Sequence, residues 1–189
     1  MRHDILTSVW RCLLRKAGLP SSMEPRLGRL ADAAPDVLRA GMRRADISTV
    51  IGTAVTLTDT VVVHPAAASY CARAADAAGA AAKIAENEKL REFRNHGDNG
   101  GAVLVPLATE TYGRHGSHAM RFPSRLGDIV AGKGGSKRDF VRCARAELSV
   151  ALVRGNARMY NRTLFNVVRA SGDVFMHGFE CVVSGHACD

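Results

Sequence analysis

The sequence lacks the features that are typical of several classes of protein. Its five cysteines are scattered and contain no Cys-x-x-Cys pair, which argues against a disulfide framework and against a zinc ribbon. No run approaches the roughly 20 apolar residues of a membrane span, and the first residues lack the continuous apolar core of a signal peptide. We therefore expect an intracellular chain in a reducing compartment, without a membrane partner.

The composition favours one domain that binds a polyanion. The 189 residues are 47% hydrophobic, which is enough for a single sizeable core. Lysine and arginine number 26 against 18 aspartate and glutamate residues, which gives a formal charge of +8. This excess favours contact with nucleic acid, and such binding weakens with salt because it depends on phosphate contacts.

The hydrophobic pattern predicts a mixed α/β (α+β) fold. An amphipathic helix opens the chain, a β-hairpin occupies residues 45–63, and an alanine-rich segment of high helix propensity follows. We expect this segment, residues 66–96, to form one long helix across a small central mixed sheet that begins with the hairpin. The other expected elements are a short helix at 34–42, a strand at 102–111, helical structure at 117–131, and one or two helices from residue 139, with Gly155 and Asn156 as the candidate break.

One strand of the hairpin carries a carboxylate on its apolar face. Val55, Leu57, Val61 and Val63 alternate with threonines, and Asp59 lies in the valine and leucine series. Burying a carboxylate without partners costs several kcal/mol or forces its protonation. A purely structural strand would avoid it.

The turn of the hairpin locates a second carboxylate. If Gly52 and Thr53 form a type II′ turn, which prefers glycine first, the pairing places Asp46 directly opposite Asp59. Two like charges in this position are destabilising, and Mg²⁺, which is held by one or two carboxylates with water and phosphate oxygens, would remove the conflict. The alternative is a register shifted by one residue, or a different turn, with the aspartates reaching solvent at a strand end.

Several stretches of the chain resemble a known family in their order and spacing. They are "RHDILTSVWRCLLRKAGLPSSMEP" (2–25), "RRADI" (43–47), "TDTVVVHP" (58–65), "KLREF" (89–93) and "VPLATETYG" (105–113). The chain is similar here to the restriction-like endonuclease domain found near the C-terminus of certain non-LTR retrotransposon polyproteins, in the PD-(D/E)XK superfamily. In such domains the chain typically reads His, a helix, Gly, Glu-Pro, Arg-Pro-Asp, a hairpin, Asp-Val-x-Val, and a helix with Lys-x-x-x-Tyr.

The resemblance implies a DNA endonuclease that uses Mg²⁺ or Mn²⁺ to activate water for attack on a phosphodiester. Asp46 matches the aspartate of the Arg-Pro-Asp motif, Asp59 matches the second metal-holding carboxylate, and Lys89 matches the helix lysine. Lys89 would act near the attacking water or the scissile phosphate, where charge builds in the transition state. Lys83 competes with Lys89 for this role.

The resemblance also implies further site residues and partners. Glu24 would add a third acid at the metal, and Arg43, Arg44 and Lys83 would contact the nucleic acid as charged donors. DNA is the implied partner, with RNA as a further partner in the parent element, and the implied location is nuclear.

The sequence departs from the family pattern at several positions. Ala45 stands where proline is usual, Thr58 where an aliphatic residue precedes the aspartate, and Phe93 in the place of the tyrosine. No polymerase signature is present. The simplest interpretation is a detached or truncated piece of a mobile element. Two alternatives stand: a catalytically inactive nucleic-acid-binding relic of the same fold, and a helical interaction module if the hairpin prediction is wrong.

The remaining predictions concern organisation and local contacts. Residues 1–113 would form the restriction-endonuclease-like core, 114–171 a helical extension of the same domain, and 172–189 a poorly ordered tail. Glu86 lies three residues before Lys89 and can pair with it on the helix surface. Glu110 lies either near the cleft, where the strand ends, or towards solvent, and we favour the solvent. His3 is expected to act in local packing or capping unless it lies near the acids. The sequence leaves the oligomeric state open.

Overall fold

A computed structural model describes residues 2–24, 45–95 and 101–170. Its elements are α1 (Arg2–Lys16), β1 (Ser21–Met23), β2 (Ile47–Ile51), β3 (Ala54–Val63), α2 (Cys71–Asp76), α3 (Ala80–Arg94), β4 (Val103–Glu110), α4 (Ser117–Gly132) and α5 (Lys137–Ala170). The short helix predicted at 34–42 and the tail at 172–189 lie outside the described residues. None of the described helices is both long enough and apolar enough to cross a bilayer.

The hairpin forms with the predicted register. Ile51 pairs with Ala54, and the antiparallel ladder runs outward to the pair of Ile47 with Thr58. Gly52 has a φ of 67°, the left-handed value that the first central residue of a type II′ turn requires. The register that the turn predicts is therefore confirmed from Ile51–Ala54 to Ile47–Thr58, and Asp46 lies one residue beyond the last pair.

The four strands form one mixed sheet in the order β1-β2-β3-β4. β1 pairs antiparallel with β2, while β4 pairs in parallel with β3 along its whole length. A parallel neighbour requires a crossover connection, and α2 and α3 provide it. The predicted mixed α/β fold with a helical C-terminal part is confirmed.

The prediction of one long alanine-rich helix is wrong. The segment divides into α2 and α3, because Ala77 adopts an extended conformation and Gly79 has a φ of 86°. Alanine raises helix propensity but does not override a left-handed glycine. In α5, by contrast, the helix continues through the candidate break, and Gly155 lies where a Cβ would be 2.9 Å from Arg2 Cγ of α1.

Helices cover both faces of the sheet. On one face, α1, α4 and α5 build the main core together with side chains of β2 and β4. On the other face, α3 packs against β3 and β4 through two smaller clusters. The threonine face of β3 points into the main core, so that Thr56 and Thr58 are fully buried. The division of the chain at residue 113 stays a prediction.

Candidate acidic site between the sheet and α3

Asp59 lies on the face of the sheet that α3 covers. It separates two apolar clusters, one around Leu57 and the other around Val63. Lys89 of α3 reaches into this gap, and its Nζ lies 2.9 Å from Asp59 Oδ2. Burial raises the pKa of Asp59, and although the Lys89 ammonium lowers it, the neighbouring Asp46 carboxylate raises it further, so that the pKa lies above its ordinary value.

Asp46 lies at the end of the hairpin ladder and makes contacts there through its side chain. Its amide donates to the Thr58 carbonyl at 3.0 Å, and its Oδ2 accepts the amide of Thr60 at 2.6 Å. The carboxylate thus accepts the amide of a β3 residue that lies beyond the last pair of the β2–β3 ladder. Burial acts to raise the pKa of Asp46, but hydrogen bonds from His3 and from Thr60 outweigh it, so that the pKa lies below its ordinary value.

His3 of α1, which was expected to act in packing or capping, contacts one carboxylate of this site. Its Nε2 lies 3.0 Å from Asp46 Oδ2. The hydrogen bond to Asp46 raises the pKa of His3 to about 9 against the opposing effect of burial, so the imidazole is protonated at neutral pH. The signal available in the sequence was the leading histidine of the family pattern.

The four side chains form two pairs of a cation with a carboxylate, His3 with Asp46 and Lys89 with Asp59. The two carboxylates are close enough for the negative charge of Asp46 to raise the pKa of Asp59. All their hydrogen bonds and ion pairs from described residues go to Oδ2. The Oδ1 atom of neither carboxylate takes part in these contacts.

The structure brings together three of the predicted site residues, Asp46, Asp59 and Lys89. Glu24 lies next to Asp46 along the sheet, with its amide donating to the Asp46 carbonyl at 2.8 Å, but its own residue is exposed. Within the described ranges, no group of three or more His, Cys, Asp or Glu side chains is arranged to hold a metal ion. The predicted third acid is therefore not gathered with the other two in this structure.

The structure separates the two candidate lysines. Lys89 contacts Asp59, whereas Lys83 is exposed on α3. Six residues turn a helix by about 600°, which places the two side chains roughly 120° apart around the axis. Arg43 and Arg44 lie outside the described residues.

The surface pair predicted for Glu86 is wrong. Glu86 is 1% exposed and lies at the N-terminus of α4, where its Oε1 accepts the amides of His118 and Ala119 and its Oε2 accepts the Ser117 hydroxyl. A helix N-terminus leaves amides without partners, and a carboxylate satisfies both them and the helix dipole.

Glu110 has a similar role, so its predicted solvent exposure is also wrong. It is 5% exposed, and its Oε1 accepts the amide of Ala82 in the first turn of α3 at 3.2 Å. Ala82, Glu86 and Lys89 follow one another at spacings of four and three residues, and therefore lie on one face of α3. Through this face, α3 contacts β4 by Ala82, α4 by Glu86 and β3 by Lys89.

Comparison with known proteins supports a retrotransposon relationship. No family model matches the chain. The chain is 30% identical over 165 residues to the retrotransposable element SLACS 132 kDa protein of Trypanosoma brucei gambiense. The chain is related to a retrotransposon protein. The matched part is 85% of this chain but only 13% of the trypanosome protein. The match supports the retrotransposon part of the resemblance.

A basic cleft lies between α4 and α5. It has a volume of about 650 Å³ and is lined by Ser124, Lys137, Arg138, Val141, Arg142 and Arg145. Lys137 pairs with Asp128, and Arg142 pairs with Asp139. Arg138 and Arg145 make no ion pair with any residue that the structure describes, so they add uncompensated positive charge to the cleft.

Proposed function

We propose that the chain is a Mg²⁺-dependent DNA endonuclease domain of the restriction-like type, derived from a retrotransposon and acting in the nucleus. The observation that carries the proposal is the convergence of Asp46, which directly precedes β2, and Asp59 of β3 with Lys89 of the crossover helix. The relationship to a retrotransposon protein agrees with it.

The arrangement is unfavourable as a purely structural device. Asp59 is mostly buried, next to a second carboxylate, and its pKa is raised by both effects. Replacing it with an apolar residue would join the two clusters that it separates on the α3 face. A polar group that interrupts a core in this way is more common at functional sites than elsewhere.

The donor set fits Mg²⁺. This ion prefers oxygen ligands and usually takes one or two carboxylates, with water and substrate phosphate completing the shell. Asp46 and Asp59 would hold the ion through the oxygens that His3 and Lys89 do not contact. When bound, the ion would supply Lewis-acid activation of a water molecule and charge neutralisation at the phosphate.

The cationic side chains have separate roles in this proposal. Lys89 holds an ammonium group at the acids, where it stabilises negative charge that develops on the phosphate. His3, protonated through its contact with Asp46, orients that carboxylate and keeps it ionised. His3 is therefore a positioning residue.

Nicking of supercoiled plasmid tests the proposal. We expect the wild-type protein to convert the plasmid to the open circle with Mg²⁺ or Mn²⁺ and not with EDTA. Asp59→Asn should abolish the conversion, and Asp76→Asn, a matched change at an exposed aspartate of α2, should retain it. Equal cleavage by both variants, or no cleavage by a folded wild-type protein, would contradict the proposal.

A nucleic-acid-binding domain without cleavage is the second candidate, and the basic cleft favours it. Its uncompensated arginines, Arg138 and Arg145, would contact phosphates. Each phosphate contact contributes about 0.9 to the slope of log affinity against log salt. Arg138→Gln and Arg145→Gln should each reduce the slope measured by fluorescence anisotropy on a duplex by about this amount, and Arg73→Gln on α2 should not. Unchanged slopes in the cleft variants would exclude the cleft as the binding surface.

A further inference from the structure

The outer face of α5 carries an apolar stripe that no described residue covers. Its members recur at alternating spacings of three and four residues: Cys143, Ala146, Val150, Val153, Ala157, Tyr160 and Leu164. All seven are exposed, with Val153 at 66% and Tyr160 at 68%. This is the a/d spacing of a coiled coil sustained over three heptads, and at 1.5 Å per residue the stripe is about 33 Å long.

The stripe lies opposite the face by which α5 joins the domain. The a positions of these heptads are Cys143, Val150, Ala157 and Leu164, and the d positions are Ala146, Val153 and Tyr160. Position f then contains Leu148, which is buried in the main core, and Gly155, which packs against Arg2 of α1. Position f is diametrically opposite the a/d seam. A second helix on the seam would therefore contact α5 without meeting the rest of the domain that carries this α5.

The C-terminal part of α5 extends beyond its tertiary contacts. Asn156 still binds the carbonyl of Thr111 and the guanidinium of Arg2, but residues 157–166 are all exposed. Most helical stability in water comes from packing of an apolar face rather than from propensity. A partner on the stripe would provide that packing.

We propose that the outer face of α5 pairs with α5 of a second copy of this chain in a parallel, two-stranded coiled coil. The heptad spacing indicates a helical partner. A coiled coil requires apolar residues at this spacing, whereas a groove or a sheet that bound α5 would not require it.

Charge complementarity favours the parallel orientation. In a parallel pair, a g residue faces the e residue of the following heptad, so Arg142 faces Glu147 of the second copy. In a fully overlapped antiparallel pair, Arg154 would face Arg154 of the second copy, and two like charges would meet near the centre. Glu147 also pairs with Lys16 within its own chain, and it can accept from both cations.

Sedimentation of the full chain tests the pairing. We expect the wild-type protein to sediment as a dimer, and Tyr160→Glu, within the stripe, to sediment as a monomer that keeps the near-ultraviolet circular dichroism of Trp10, which is buried in the main core. Met159→Glu is the matched control, because Met159 is exposed on the same helix but lies roughly 140° away from the centre of the stripe. It should remain a dimer.

Oxidative cross-linking tests the orientation. In a parallel, in-register pair, Cys143 faces Cys143 of the second copy, and diamide would accept the two electrons and two protons released as the disulfide forms. We expect a covalent dimer that Cys143→Ser loses. A dimer without this cross-link would overturn the parallel arrangement.

Other results would overturn the pairing itself. A wild-type monomer would do so, and if removal of residues 171–189 then produced a dimer, the chain's own C-terminal segment would be the occupant of the stripe. Dissociation by Met159→Glu as well as Tyr160→Glu would show that the stripe is not the interface. Dimerisation that requires added DNA would make the nucleic acid, rather than α5, the bridge.

Discussion

His3 Nε2 lies 3.0 Å from Asp46 Oδ2, and this contact joins the first turn of α1 to the entrance of β2, 43 residues further along the chain. It connects the helix that anchors the main core to the carboxylate at the end of the hairpin ladder. The same carboxylate oxygen accepts the Thr60 amide. The position of Asp46 is therefore fixed from two sides by groups that favour its ionised form.

This contact predicts a specific dependence of stability on pH. The pKa of His3 is raised from 6.5 to about 9 in the folded protein. The stabilisation by protonated His3 is therefore complete below 6.5 and is lost as the pH rises through about 9. It also declines in acid, as Asp46 becomes protonated.

Urea unfolding of the wild-type protein and of His3→Gln, with EDTA present, measures this effect. The difference between their free energies of unfolding should be largest just below pH 6.5 and should disappear above about pH 9. The contributions of groups that titrate equally in the two proteins cancel in this difference. A difference that stays constant across this interval would contradict the assigned contact.

Lys89 is predicted to lower the pKa of Asp59. Its ammonium partly offsets the effect of burial, so Lys89→Gln should raise the pKa of Asp59 further above its ordinary value. Carboxyl-carbon NMR titration of Asp59 measures the change. Lys83→Gln removes the same charge from an exposed position on the same helix and should leave the titration unchanged, whereas equal shifts in both variants would indicate a general charge effect.

Glu86 is predicted to stabilise the fold through the N-terminus of α4. Glu86→Ala leaves the Ser117 hydroxyl and the amides of His118 and Ala119 without their acceptor, which should cost about 2–4 kcal/mol in the free energy of unfolding. Glu88→Ala, at an exposed position of α3, should cost less than about 0.5 kcal/mol. Urea unfolding compares the two, and similar losses would contradict the capping role.

Thr58 is predicted to limit stability. It is fully buried, and its hydroxyl has no hydrogen-bond partner among the described residues. Thr58→Val keeps the shape and removes the unsatisfied group, so it should raise the free energy of unfolding by about 1 kcal/mol. Thr49 is also buried, but its hydroxyl donates to the Pro20 carbonyl at 2.7 Å. Thr49→Val should therefore destabilise, and the same sign for both changes would contradict this interpretation.

The parts of the site that depend on local geometry could be predicted from the sequence. The Gly52-Thr53 turn determines the register of the hairpin, and the register brings Asp46, directly before the last pair of the ladder, near Asp59. Turn type depends on a few neighbouring residues, so no knowledge of the remaining chain was needed. To choose Lys89 over Lys83, one also has to know which side of α3 faces the sheet.

The contacts made across the fold could not be predicted in the same way. Glu86 resembles a surface partner of Lys89 because only helical spacing is visible in the sequence, whereas its actual partners lie in α4. His3 meets Asp46 only after α1 has docked on the sheet. The division of the alanine-rich segment depends on the conformation of Gly79, which high alanine content obscures.

Binding of Mn²⁺ followed by NMR would test the central claim most directly. Substoichiometric Mn²⁺ broadens amide signals near its site even when binding is weak. We predict that the amides of Asp59 and Thr60 broaden first in the wild-type protein and in Asp76→Asn, and that Asp46→Asn and Asp59→Asn lose this effect. Broadening centred on other carboxylates, with the Asp59 and Thr60 amides unaffected, would show that these aspartates do not form a divalent-cation site.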